Sequence, residues 1–229
     1  AMQSSRILPA QRRLKILGKE EIEALYGLPR FTPDERAHYF GLSQPEKEVL
    51  HTLRSIKSQV YFLLQLGYFK AKYQFFVFEL ADVPEDVHYL LEYYGDQRSL
   101  PDRTAIDKST RLKQQQLILT LFQYRGCHAE ERQQLEHRAR QAATIFAKPI
   151  YIFRDLMQYL TEQRVVAPGY SLMQDTIGRA LTYEQQRLIA FLHTALTPAD
   201  IAQLTQLLDD TPGLYALTQL KREPKDFSA

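Results

Sequence analysis

A chain of 229 residues with 45% hydrophobic content is long enough to bury a real core and too apolar for a disordered tail. One cysteine, Cys127, excludes a disulfide framework and a cysteine-rich zinc site, and it suits a reducing compartment. The formal net charge of +2 hides a segregated pattern: residues 1–19 carry five basic side chains and no acid, and 77–97 carry six acids and no Lys or Arg. Residues 98–125 then carry six basic side chains against Asp102 and Asp107. Such blocks fit a protein with basic faces for an anionic partner, and solvated helix faces would give the same pattern. No secretory signal opens the chain and no apolar run is long enough for a membrane span, so a cytoplasmic protein with no membrane partner is expected. Ala1 ahead of Met2 reads as a cloning remnant, and the chain is expected to be a fragment of a longer protein.

In chain order, a basic arm with Arg6, Arg12 and Arg13 leads into a helix near Glu20–Tyr26, ended by Gly27-Leu28-Pro29. Thr32-Pro33-Asp34-Glu35 is a capping box with proline at the first helical position, predicting a helix over 33–40. Ser43-Gln44-Pro45-Glu46 repeats the box and starts a helix to about Leu53. The next stretch, IKSQVYFLLQLGYFKAKYQFF from 56 to 76, leaves no helical face polar, which marks a helix enclosed by neighbours. Gly67 within it points to a close approach by a neighbour. Residues 73–80 are aromatic and β-branched, but no second strand is available, so an extended segment packing aromatics across the core is expected.

Val83-Pro84-Glu85 begins an acidic helix to Tyr94, capped by Gly95, and 97–108 reads as a polar, basic loop. From Ser109 a helix is predicted with Leu112, Leu119 and Phe122 buried, and with Arg111, Lys113, Gln114 and Gln115 on its outer turns. A polar helix follows over 128–146 with Leu135, Ala139, Ala142 and Phe146 inward, and another starts at Pro149. After the turn at 165–170, Ser171 is expected to cap a helix to about Thr194, Thr197-Pro198 opens one to Leu208, and a last short helix follows Pro212. The reading is all-α, with two helix–turn–helix-like subdomains around a buried central helix. Its expected divisions are 1–97, 98–148 and 149–229.

No phosphate loop, dinucleotide glycine fingerprint or nucleophile elbow is present. His128 and His137 do not make the i, i+4 pair of a helical zinc site, so no metal, cofactor or catalytic residue is expected in this chain. Two clusters remain. Arg103, Lys108, Ser109, Thr110, Arg111, Lys113, Gln114 and Gln115 gather at one helix N-terminus, where backbone N–H groups favour a phosphate. Arg164, Ser171, Gln174 and Arg179 sit at the start of the later long helix. On the residues alone, two ordinary helical hairpins explain these clusters at least as well.

The blocks ILPAQRR…ALYGLP, LLQLGYFKAKYQFF, STRLKQQQLILTLFQYR, RVVAPGYSLMQDTIGRA and LTPADIAQLTQLL fall in an order that resembles the N-terminal region of Tn-three-family transposases of the TnpA type. The resemblance implies a helical region that binds double-stranded DNA at the terminal inverted repeats. It also implies an absent C-terminal part that carries the divalent-metal catalytic triad and self-association. It makes Arg103, Thr110, Arg111 and Gln114 the leading DNA contacts, with Arg12 and Arg13 on the basic arm. Where that family usually has an Asn-Arg pair, this chain has Ser58-Gln59, leaving Lys57 as the substitute. The alternative is a helical protein-interaction module, docking a basic partner on 77–97 without DNA sequence preference.

Overall fold

The computed structural model describes residues 14–95 and 104–208. Ten α-helices are present among them: α1 (Lys19–Tyr26), α2 (Pro33–Tyr39), α3 (Gln44–Thr52), α4 (Ile56–Lys72), α5 (Pro84–Tyr94), α6 (Lys108–Phe122), α7 (Ala129–Ala143), α8 (Pro149–Glu162), α9 (Tyr170–Ala195) and α10 (Pro198–Leu208). Among the described residues there is no sheet, only an isolated parallel bridge between Arg125 and Val165, so the fold is all-α. None of the described helices is long and apolar enough to cross a membrane.

Contacts divide the chain into two compact units, residues 1–180 and 181–229, with the division inside α9. Both expected boundaries, after 97 and after 148, fall inside the first unit. Across residue 97 the core continues, because α6 packs on α4 and α3 and places Ile118 and Leu119 in the same apolar core as the earlier helices.

In the first unit, α4 is buried from Val60 to Phe69 without a break, with α2, α3, α5 and α6 around it. Each fully buried large side chain there contributes about 1.5–3 kcal/mol as an upper figure. Ser55 caps α4, its hydroxyl accepting Ser58 N–H at 3.1 Å, and Thr32 caps α2 as its box predicts. At Gly67 a Cβ would lie 2.4 Å from the Phe40 ring, so the glycine admits the aromatic that closes α2. The segment after α4 is extended and carries Phe78 into the core, where it stacks on Tyr61 at 4.7 Å.

The acidic helix α5 docks through Asp86, which is buried and accepts from Arg36 Nε at 2.7 Å and from the Tyr68 hydroxyl at 2.6 Å. Burial and that carboxylate hold the Tyr68 phenol far above its usual range.

Helices α7 and α8 pack on each other, with Leu135, Ala139, Ile152, Phe153, Leu156 and Leu160 buried on them, and Met173 and Ile177 are buried at the start of α9. The Arg138–Asp155 fork, at 2.8 and 2.7 Å, ties α7 to α8. Two expected details differ. Helix α7 ends at Ala143, short of Phe146, and α9 starts at Tyr170, so Ser171 lies inside its first turn and not at the cap position ahead of it. In the second unit, residues 181–195 of α9 and α10 leave Leu188, Phe191, Leu192, Ile201 and Leu204 exposed. Thr197 starts α10, with its N–H and hydroxyl bound by the Asp200 carboxylate. The last predicted helix, after Pro212, lies outside the described residues.

Candidate nucleic-acid interface

Helices α4 and α6 start side by side. Arg54, Ser55, Lys57 and Ser58 from one start, and Ala105, Ile106, Asp107 and Thr110 from the other, line an open groove of about 410 Å³. Asp107 caps α6: its carboxylate accepts the Thr110 N–H at 3.0 Å and the Thr110 hydroxyl at 2.6 Å. Those bonds, the hydroxyl's first, hold the Asp107 carboxyl below its ordinary value. The Thr110 hydroxyl is therefore engaged in the cap. Lys57 reaches across the groove, donating to Thr104 Oγ1 at 2.9 Å.

Lys113 is exposed on an outer turn of α6, as predicted, Lys108 and Ser109 are exposed at its start, and Gln115 is half-buried. Arg54, also exposed, was missed by sequence reasoning; its signal was a basic residue directly before a serine N-cap. Arg111 is half-buried, and its guanidinium lies against the Tyr61 hydroxyl, so it is turned partly toward α4.

Gln114 is a correction. Its side chain is 1% exposed, so it is not offered to a surface ligand. Its Nε2 donates to Ser58 O and Ser58 Oγ, both at 2.9 Å, and its Oε1 accepts from Gln65 Nε2 at 2.8 Å. Leu112, expected in the core, is 51% exposed for the same reason. Two positions apart on a helix means roughly 200° of rotation, so turning Gln114 inward turns Leu112 out.

The second predicted cluster is brought together differently. Gln174 Nε2 donates to Leu14 O at 2.7 Å, and Arg164 Nη1 donates to Gln123 Oε1 at 2.9 Å. Arg179 pairs with Glu136 of α7 at 2.5 Å. Ser171, Asp175 and Arg179 are exposed on one row of α9, so an acid stands between the two residues expected to meet DNA. Arg12, Arg13 and Arg103 lie outside the described residues.

No group of His, Cys, Asp and Glu among the described residues could hold a metal ion. Burial pushes the Cys127 thiol above its ordinary pKa. Its neighbour Arg125 faces Glu131 at 3.5 Å.

No curated protein matches the chain. Residues 16–180 match the family described as Domain of unknown function (DUF4158). That match ends at Ala180, where the first compact unit also ends, and it takes in α1 to α8 and the first three turns of α9. The chain belongs to the DUF4158 family.

Proposed function

We propose that this chain is a DNA-recognition region of a Tn-three-family replicative transposase, binding the terminal inverted repeats of its element. The observation that carries the reading is the pair of adjacent helix starts at α4 and α6. Both helix starts line one open groove together with Arg54 and Lys57, and Lys108 and Lys113 are exposed on the first two turns of α6. Helix N-termini with basic side chains suit phosphate oxygens. The Asp107 charge is engaged by Thr110, and the surrounding cations outnumber it. The ordered sequence blocks support the same reading, four of them overlapping the DUF4158 match.

No catalytic step is assigned to this chain. In this reading the metal-dependent strand transfer belongs to another part of a longer protein.

The test is binding to a duplex of the terminal repeat against a scrambled duplex over a range of salt. The repeat is expected to win by roughly a thousandfold. Four phosphate-facing cations give a log–log salt slope of about −3 to −4. Equal, weak binding to both duplexes would reject the reading.

The rival reading, a protein-docking module, draws on Val77 and Tyr93, 80% and 67% exposed, beside the acids Glu79 and Glu92. It expects no preference between the duplexes.

A further inference from the structure

Within the first compact unit the closely packed helices fall into two lobes, α2–α6 and α7 with α8. The most extensively packed helix pairs, such as α4 with α5 and α7 with α8, lie within one lobe or the other. What joins the lobes is a seam of loops and caps.

At one end of the seam, α6 and α8 terminate alike. Gln123 and Arg164 are both left-handed, at φ 55° and 51°, and they supply two of the three non-glycine residues with positive φ among those described. Neither is a glycine or asparagine, the residues that adopt this conformation at least cost. The paired turns let Arg125 N–H reach Arg164 O at 2.8 Å and Val166 N–H reach Arg125 O at 2.9 Å. The Arg164 guanidinium then closes the pair by donating to Gln123 Oε1 at 2.9 Å.

At the other end, the chain before α1 is strapped to the first turns of α9. Tyr170 Oη accepts Leu17 N–H at 2.9 Å and Ile16 N–H at 3.2 Å, and Gln174 holds Leu14 O. Leu17 is 4% exposed beneath this strap, and the Tyr170 ring lies between Tyr26 of α1 and Phe153 of α8.

We propose that Arg164, Tyr170 and Gln174 are positioning residues that lock the two lobes at one fixed separation, so that the chain engages two segments of a single duplex at one spacing. The spacing half of this proposal rests on the DNA-binding reading, and the lock does not. Arg164 and Gln174 thereby leave the set of direct DNA contacts. A lock made of a few bonds and no broad helix packing is suited to set geometry, because two linked sites gain avidity only when both can be reached together.

Two measurements decide it. In a Cys127→Ser background, spin labels at Lys47→Cys on α3 and Arg154→Cys on α8 report the lobe separation. A single narrow distance is expected for the parent. A broadened distribution is expected after Arg164→Gly, Tyr170→Phe and Gln174→Ala are combined, with helical circular dichroism retained. Arg164→Gly keeps the left-handed turn free of strain, and Tyr170→Phe removes only the accepting oxygen. Arg164→Lys in place of the glycine should recover part of the narrowing. An unchanged distribution in the triple variant would overturn the lock.

The second measurement uses a duplex enriched by the wild-type protein from a random-sequence pool. It compares that duplex with a version carrying about half a helical turn (roughly five base pairs) inserted at successive positions. The wild type should lose roughly 100-fold in affinity at one of these positions. The triple variant should bind the two duplexes nearly alike. A merely destabilised variant would lower both affinities and keep their ratio, which would overturn the spacing role, as would a wild type indifferent to every insertion. If the pool yields no enriched duplex, the DNA reading fails and takes the spacing role with it, while the distance measurement still decides the lock.

Discussion

Replacing Gln114 with alanine separates a structural strut from a DNA contact. The orientation of its amide is fixed by chemistry: Ser58 O can only accept, so Nε2 must face it, and Oε1 must then face Gln65 Nε2. Gln65 Oε1 is left buried without a partner, so this polar bridge already carries a cost. Gln114→Ala would strip the buried Gln65 Nε2 of its acceptor and remove the donor to the half-buried Ser58. At about 1–3 kcal/mol for each buried polar group left unpaired, the loss should be about 2–4 kcal/mol. In urea, with a slope of about 2 kcal/mol per molar, the midpoint should fall by about 1–2 M without a change in slope. Under conditions where the variant remains folded, its affinity for the terminal-repeat duplex should stay within about twofold of wild type, far below the discrimination a bidentate base contact gives. A variant as stable as wild type that loses tenfold or more in DNA affinity would show that Gln114 reads DNA and that the buried bridge is misassigned.

Gly67→Ala gains about 1 kcal/mol of helix propensity but drives a methyl into the Phe40 ring. That ring is held by Phe31, Tyr68 and Tyr89, so overpacking of about 1–3 kcal/mol should leave the protein less stable by calorimetry, and a raised midpoint would show that the ring can retreat. Lys108→Ala combined with Lys113→Ala should lower the log–log salt slope of DNA binding by about 1.8, and an unchanged slope would remove both residues from the phosphate contacts. Because its hydrogen bonds depress the folded pKa of Asp107, the cap should hold fully above its ordinary 3.8 and be lost only as pH falls through a lower value. An NMR titration of the Thr110 amide with a midpoint at or above 3.8 would contradict that cap.

The central helix was legible because its evidence is local. Ten successive residues of α4 are buried, and an unbroken apolar circumference says so without reference to any partner. The proline-bearing box before α2 was equally readable, since a cap bonds to residues within one turn. Gln114 failed because a glutamine on a polar helix is ordinarily outside, and its partner Gln65 lies 49 positions away. A hint was present in α4: a glutamine inside a helix with no polar face has to be buried, and a buried amide needs a polar neighbour. The contacts of Arg164 and Gln174 span 41 and 160 positions and left no local trace, so their polarity read as availability to DNA.

Charge blocks along the chain fared worst, because a helix distributes its charges around an axis. Of the acids in 77–97, Asp86 is enclosed by Arg36 and Tyr68, Glu85 shares Arg36 at 2.5 Å, and Asp82 binds the Glu79 N–H at 2.7 Å. That stretch therefore presents a weaker acidic field than its sequence count implies, which weakens the case for a basic partner docking there. The basic stretch 98–125 disperses in the same way, with Arg111 turned toward Tyr61 and Arg125 toward Glu131. Lys108 and Lys113 stay on the surface of α6, and the cations of the groove at its start, Arg54 and Lys57, come from about fifty residues earlier in the chain. The basic surface is thus made by the packing of α4 on α6, with Gln114 as the strut between them. Its integrity should depend on that buried bridge as much as on the lysines themselves.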